Sequence, residues 1–182
     1  MMWFNNIRLK IGRRKLHTKT TVLKRQRMLF DFSSAKTIGI ICASIDERTI
    51  LILKEFLHFL SQKSIKYQVL GYFNTKNIPE SYLFWKEMYF FTQKDLNFFF
   101  IPRSPAVDTF IRYPFDMLIN CSMETHFPVS YIMGVSAAKC KVGIGNEKEN
   151  DLSLDIKKKE IGYYLENVKL YLTNLRIRKD EQ

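Results

Sequence analysis

The side chains best suited to chemistry lie in one short segment of the second half of the chain. Residues 120–126 combine an amide, a thiol, two hydroxyls, a carboxylate and an imidazole. The thiol of Cys121 and the imidazole of His126 could form a nucleophile and its base, and a helix that begins directly after them could bind an anion. Because no third residue that would orient the base is visible, the pattern favours helix capping and packing over catalysis, and we assign no catalytic residue.

A second segment, residues 42–46, is expected to lie beside this one, because ligands of parallel α/β sheets bind where the carboxyl ends of the strands meet. The chain has no Gly-x-Gly-x-x-Gly and no Gly-Lys-Ser/Thr sequence, which argues against dinucleotide and P-loop nucleotide sites. One alternative function therefore stays open, a small-ligand-binding or transferase-derived protein whose ligand loop comprises Ser44, Asp46, Asn120, Ser122, Glu124, Thr125 and His126.

Histidine and cysteine do not occur at metal-binding spacings. The chain has three of each, widely separated, so we predict neither a metal site nor a cofactor. The cysteines are odd in number and lie in apolar runs, which is typical of free, buried thiols in a reducing compartment. Lysines and arginines interrupt every apolar run near the N-terminus, and no run approaches the ~18 apolar residues of a membrane span. These features predict a cytoplasmic protein.

Positive charge is concentrated at the N-terminus. The chain has 29 Lys and Arg against 18 Asp and Glu, but the first acid is Asp31, and the residues from there on hold 20 bases and 18 acids. Such a local excess of charge creates a site where polyanions accumulate. The bases that precede Asp31 are Arg8, Lys10, Arg13, Arg14, Lys15, Lys19, Lys24, Arg25 and Arg27.

Three uses of this basic N-terminal arm stay open. Nine bases without an acid suffice for nonspecific contact with nucleic acid or a ribonucleoprotein. Trp3 and Phe4 at the start of a basic amphipathic helix would also suit an anionic membrane surface. A third possibility is a solvated helix whose apolar stripe packs on the rest of the protein. The leading hypothesis is a noncatalytic cytoplasmic accessory protein whose arm contacts nucleic acid or a ribonucleoprotein.

The elements that position these residues follow from apolar periodicity. Residues 37–43 form a continuous, largely β-branched run, as expected of a strand covered on both faces. Asp46 can cap the next helix, and residues 67–73 read as a second strand. A strand, an amphipathic helix and another strand make a βαβ unit with parallel strands. The apolar stripe of the helix consists of Ile50, Leu53, Phe56, Leu57 and Leu60.

The rest of the chain continues this alternation. It predicts strands at residues 96–101, 115–121, 141–145 and 152–156, a turn or short helix at residues 104–112, and helices at residues 128–138 and 161–175. The fold class is therefore α/β, a three-layer Rossmann-like or flavodoxin-like sandwich with a mostly parallel sheet. We expect a basic arm over residues 1–33 with helical periodicity and a break near residues 17–23, one α/β domain over residues 34–178, and a tail over residues 179–182.

Aromatic residues are dense between positions 82 and 100, where nine occur. Exposed rings of this kind stack on bases in RNA-binding sheets. Because the ribonucleoprotein motif is missing and the two lysines of this segment, Lys86 and Lys94, do not alternate with the rings, the pattern favours packing in the core or at a sheet edge.

Two resemblances accompany these patterns. The order of the basic arm, residues 36–43, Asp95-Leu-Asn-Phe-Phe, Phe115-Asp-Met-Leu-Ile and Ala137-Ala-Lys-Cys-Lys-Val-Gly-Ile144 resembles a family of small bacterial proteins of unknown function. Residues 115–146 are also similar to the acceptor-side half of heptosyltransferase-type glycosyltransferases. That similarity implies half of such a fold without the half that binds the donor, which disfavours a complete glycosyltransferase.

Overall fold

A six-stranded parallel sheet forms the centre of the protein. The structure, a computed structural model, describes residues 2–43, 45–82 and 88–175. The strand order is β3-β2-β1-β4-β5-β6, with every neighbouring pair parallel. This is the strand order of the doubly wound Rossmann fold, and it confirms the predicted fold class. The strands are β1 (Thr37–Ala43), β2 (Lys66–Phe73), β3 (Met88–Thr92), β4 (Met117–Asn120), β5 (Cys140–Ile144) and β6 (Leu152–Leu154).

Helices cover both faces of the sheet. On one face, Phe56 of the second helix and Val168 of the last are buried in a core cluster with Ile38 and Ile40 of β1. On the other face, Phe110 and Ile132 are buried with Ile41 of β1. Because side chains alternate along a strand, the apolar run of β1 fills both cores, as predicted. The helices are α1 (Met2–Val22), α2 (Glu47–Gln62), α3 (Pro105–Arg112), α4 (Phe127–Val135) and α5 (Ile161–Asn174).

The unit β1-α2-β2 agrees with the sequence in detail. The carboxylate of Asp46 accepts a hydrogen bond of 2.7 Å from the backbone N–H of Thr49 and so caps α2. The two strands pair in parallel, with Ile38 beside Tyr67. The predicted stripe is the buried face of this helix: Ile50, Leu53, Phe56, Leu57 and Leu60.

Helix α1 is continuous, so the predicted break near residues 17–23 is wrong. The hydroxyls of Thr18, Thr20 and Thr21 donate to backbone carbonyls three or four residues earlier, which lets the helix accommodate these threonines. Its inner side packs on α4, where Leu16 is buried against Tyr131 and Ile101. The basic segment is therefore an additional helix packed on the sandwich.

Residues 96–101 form a turn, not the predicted strand. The third strand ends at Thr92, whose side chain and that of Asp95 cap each other's backbone in a capping box and start a short 3-10 helix. The amide oxygen of Asn97 then accepts from the backbone N–H groups of Phe99 and Ile101, which closes the turn. These side-chain bonds outweigh the strand propensity of the three phenylalanines at residues 98–100.

Some predicted features lie outside the described residues. These are Ser44 of the expected ligand loop, Phe84 and Trp85 of the aromatic-rich segment, and the tail over residues 179–182. Of the remaining aromatic residues, Phe91 is fully buried and Tyr82 nearly so, as packing predicts, whereas Tyr89 and Phe98 are more than half exposed.

Candidate nucleic-acid interface

The packing of α1 determines which of its side chains face the solvent. Gly12 and Leu16 are buried and Leu9 is half-buried, so this side of the helix packs on α4, whereas Trp3 and Phe4 at its start are exposed. The opposite side and both flanks carry the charges. The bases of α1 that are exposed are Lys10, Arg13, Arg14, Lys15 and Lys19.

A groove runs along one flank of α1. It has a volume of about 870 Å³ and lies between this helix and residues 101–112, which lead into and form α3. Three bases of α1 line one wall, and two from the other segment line the opposite wall, with Asp108 as the one acidic side chain among them. The five basic residues of this groove are Arg14, Lys15, Lys19, Arg103 and Arg112.

Aromatic rings hold two of these ammonium groups against the wall. The Nζ atom of Lys15 lies 4.1 Å from the centre of the Phe99 ring, and that of Lys19 lies 5.5 Å from the centre of the Tyr131 ring. Cation–π contacts of this kind orient an ammonium group without neutralising it. Within residues 2–43, 45–82 and 88–175, no Asp or Glu oxygen lies within 4.0 Å of the charged nitrogens of the five exposed bases of α1.

Arg25 has a structural role instead. Its guanidinium donates to the carbonyl oxygens of Ala138 and Lys139 and to the carboxylate of Asp151, and its side chain is only 8% exposed. Arg27 lies 3.9 Å from the same carboxylate but is 78% exposed. Of the nine predicted bases, Arg25 is thus the one least available to a partner.

The remaining two bases occupy the ends of the segment. The Nε atom of Arg8 donates to the carbonyl oxygen of Phe98 at 2.6 Å, and its guanidinium lies over the rings of Phe98 and Phe100. Lys24 is exposed after the end of α1. The structure therefore places Arg8 at one end of the groove flank and Lys24 beyond the other.

A second cleft opens on the other flank of α1. It has a volume of about 800 Å³ and lies between α1, α4 and the connection from β5 to β6. Lys141 lines it and is 2% exposed, with its Nζ atom 2.9 Å from the carbonyl oxygen of Gly134 at the end of α4. Burial, with a contribution from Arg25, lowers the pKa of Lys141 to about 7. Glu147 and Glu149 also line this cleft, so it is less uniformly basic than the groove.

The described residues of the predicted ligand loop follow the ends of β1 and β4, and their polar groups bond to the backbone or to neighbouring side chains. The hydroxyl oxygen of Ser122 accepts from the N–H of Ala43 at 3.0 Å, which joins the ends of β1 and β4. The amide oxygen of Asn120 accepts from the N–H of Ser122, and the hydroxyl of Thr125 donates to Glu147. Asp46 caps α2, as described above.

His126 and Cys121 complete that loop. The His126 ring packs edge-on against Tyr72 and lies 3.8 Å from the exposed carboxylate of Glu124. Cys121 is buried, and burial raises the pKa of its thiol. Burial, together with Asp46, raises the pKa of Cys42 to about 12. Neither thiol is a ready nucleophile, because the thiolate is the reactive form.

Sequence reasoning missed Arg103 and Arg112. They stand about 90 residues from α1 in a segment with three prolines, Pro102, Pro105 and Pro114, and no charge run marks them. Only the packing of α1 on α4, which places α1 beside residues 101–112, brings them to the groove.

Comparison with known proteins places the chain in a family. No curated protein and no solved structure matches it, so the similarity of residues 115–146 to heptosyltransferases stays a prediction. In the part of the chain that the structure describes, no helix is long and apolar enough to cross a membrane. The model of a family of unknown function, DUF6913, matches residues 8–175, and the chain belongs to that family.

Proposed function

We propose that this protein is a noncatalytic accessory protein that binds the sugar–phosphate backbone of nucleic acid, free or in a ribonucleoprotein, in the groove between α1 and α3. The observation that carries the proposal is the groove itself, with five basic side chains and one acidic one on its two walls. Lysine and arginine that meet phosphates release condensed counterions, which drives binding without sequence preference.

The charge pattern of α1 supports this proposal. Lys10 and Arg14, and likewise Lys15 and Lys19, are four residues apart in the helix. Like charges at this spacing repel each other and cost a few tenths of a kcal/mol per pair. A bound polyanion would relieve this repulsion, so the helix is more stable with such a ligand than without it.

A membrane surface fits the helix less well. An interfacial helix must bury its apolar face in the lipid along its length. The side of α1 that carries Leu16 packs on α4 instead, and Trp3, Phe4 and Ile7 are exposed at the start of the helix. A flexible nucleic-acid chain can enter the groove, but a flat lipid surface cannot reach the basic side chains inside it. These side chains are Lys15, Lys19, Arg103 and Arg112. Three buried cysteines without disulfides support a cytoplasmic location as part of the proposal.

The experiment is a binding titration by fluorescence anisotropy with a 20-nucleotide RNA and the corresponding DNA at several salt concentrations. The groove variant carries Arg14→Gln, Lys15→Gln and Lys19→Gln, since glutamine keeps the helix propensity. The matched control carries Lys157→Gln, Lys158→Gln and Lys159→Gln, which removes the same charge from exposed residues of the connection between β6 and α5. Circular dichroism and a thermal midpoint establish that both variants are folded.

The groove variant is expected to lose most of its affinity near 100 mM salt, and the slope of log Kd against log salt should fall by about 0.7–0.9 for each phosphate that the protein no longer neutralises. The control should bind as the unmodified protein does. Equal losses in both variants would mean that net charge alone drives binding, and no binding by the unmodified protein would end the proposal.

A further inference from the structure

The turn at residues 97–101 presents the ring of Phe98 to the solvent, while Phe99 and Phe100 are half-buried. Asn97 holds it through four hydrogen bonds within the turn. Its side chain accepts two, its carbonyl oxygen accepts one from the N–H of Phe100, and its own N–H donates one to the carbonyl oxygen of Ile101. Phe100 has a φ of 60°, in the left-handed region that bulky residues rarely adopt. This conformation costs energy in a residue with a large side chain, so it persists only because the surrounding hydrogen bonds hold the backbone of the turn. The fixed backbone in turn fixes the positions of the rings.

Two rings at this turn are exposed although they are large and apolar. Phe98 is 55% exposed, and Phe4 at the start of α1 is 54% exposed. Their rings pack edge to face with centres 5.9 Å apart. We call Phe4, Phe98 and Phe100 the aromatic cluster.

Arg8 lies within the aromatic cluster. Its guanidinium carbon lies 4.5 Å from the centre of the Phe98 ring and 4.3 Å from that of Phe100. Its hydrogen bonds to the carbonyl oxygen of Phe98 and to the side chain of Asn5 hold it in place. The cluster thus combines flat apolar faces with one fixed positive charge, the pairing with which single-stranded nucleic acids are bound.

The aromatic cluster continues the basic groove. Asn97, the first residue of the turn, lines the groove. The ring of Phe99 in the same turn makes a cation–π contact with the ammonium group of Lys15. Arg8, Lys15 and Lys19 follow one another along the flank of α1 over about 16 Å, at 1.5 Å per residue. A chain whose phosphates lie in the groove would therefore carry its next bases onto Phe98 and Phe4.

We propose that the ligand of this interface is a single-stranded nucleic acid, whose bases stack on the aromatic cluster while its phosphates occupy the groove. The inference rests on the proposed function and adds the strandedness of the ligand. In a duplex the faces of the bases are already stacked on each other. Exposed rings beside the basic groove can therefore stack only on the bases of a single strand, whose faces are free.

The experiment compares a 12-nucleotide single strand with the same sequence in a duplex, by anisotropy at fixed salt. The test variant is Phe98→Leu, which keeps an apolar side chain and the backbone carbonyl that binds Arg8 but removes the aromatic face. Phe98→Trp should restore stacking. The control is Tyr171→Leu, an aromatic residue of α5 with a similar exposure of 60% on the other side of the sheet.

The unmodified protein should bind the single strand more tightly than the duplex. Phe98→Leu should weaken single-strand binding by about 5- to 160-fold, the range typical of removing one stacked ring. It should leave the salt dependence unchanged, because stacking releases no ions. Phe98→Trp and Tyr171→Leu should bind normally. A merely structural role of Phe98 would instead lower duplex and single-strand affinity together.

Four outcomes would overturn the inference and separate its failure from that of the proposed function. The duplex could bind as tightly as the single strand, or Phe98→Leu could have no effect while the groove variant loses binding. Either result would contradict the stacking site but leave the proposed binding of the nucleic-acid backbone in the groove intact. If neither nucleic acid binds, both proposals fail. Binding to phosphatidylserine vesicles that depends on Phe98, without binding to oligonucleotides, would assign the aromatic cluster to a membrane.

Discussion

The carbonyl oxygen of Phe99 lies 2.5 Å from the position that a Cβ atom on Gly12 would occupy. The nearest ring atom of Phe127, on α4, lies 2.9 Å from the same position. At Gly12, helix α1 thus contacts both the backbone of the 97–101 turn and the Phe127 side chain of α4. The absence of a Cβ atom at Gly12 permits this close approach. This close approach holds the basic flank of α1 beside Arg103 and creates the groove.

Gly12→Ala should destabilise the protein by about 1–3 kcal/mol, because a backbone oxygen cannot move aside as a flexible side chain can. Alanine favours a helix by about 1 kcal/mol over glycine. The sign of the change in the free energy of unfolding therefore shows whether the steric clash or the helix propensity dominates. Urea unfolding measures it. The control is Gly162→Ala in α5, whose Cβ would meet only Ile52 at an ordinary 3.6 Å and which should be neutral or slightly stabilising. A Gly12→Ala protein that is more stable than the unmodified one would contradict the close contact.

The ion pair of Arg25 and Asp151 should matter for stability rather than for binding. Both side chains are largely buried, 8% and 14% exposed, and Arg25→Leu leaves the carboxylate without its main partner. We expect a loss of about 3–5 kcal/mol in the free energy of unfolding. Adding Asp151→Leu should cost less than the sum of the two single changes, by at least about 1 kcal/mol, because the residues are coupled.

Arg27→Ala is the control for that pair. Its guanidinium is 78% exposed and 3.9 Å from the same carboxylate, so it should cost less than about 1 kcal/mol. Equal losses for Arg25→Leu and Arg27→Ala would show that burial of the first pair has no consequence. At temperatures where it stays folded, Arg25→Leu should bind RNA as the unmodified protein does.

Lys141 should make stability depend on pH between about 7 and 10.5. Burial lowers the pKa of Lys141 in the folded protein to about 7, against 10.5 for an ordinary lysine. Between these values the unfolded chain binds more protons, so stability rises with pH over this window and levels off on either side. The difference in thermal midpoint between the unmodified protein and Lys141→Met should therefore shift in favour of the unmodified protein from pH 7 to pH 10. A constant difference would place the pKa of Lys141 near its ordinary value.

The three cysteines should be unreactive in the folded protein. Cys42, Cys121 and Cys140 are buried, and burial raises the pKa of each thiol, that of Cys140 to about 11. A disulfide reagent at pH 8 should label none of them on the time scale on which it labels all three in denaturant. Rapid labelling of one thiol in the folded state would reopen the alternative of a nucleophile at the ligand loop.

Much of the sandwich follows from local patterns in the chain. The run of β1 and the stripe of α2 predicted buried faces that the structure confirms, because alternation along a strand and spacing along a helix decide which side chains share a face. Prediction failed where side-chain hydrogen bonds competed with propensity. Asn97 closes a turn where three phenylalanines predict a strand, and the threonines of α1 bond back to their own helix.

The amino-acid sequence by itself determined that positive charge is concentrated before Asp31. It did not determine which side of α1 packs, because Trp3 and Phe4 are exposed whereas Leu16 is buried. The tertiary structure alone decided which side of the helix is covered, and hence which basic residues stay exposed. It buried Arg25 against Asp151, and it brought Arg103 and Arg112 across from Lys15 and Lys19. The physical reason is range: periodicity acts over a few residues, whereas the groove joins charges about 90 residues apart whose proximity depends on the packing of α1 against α4.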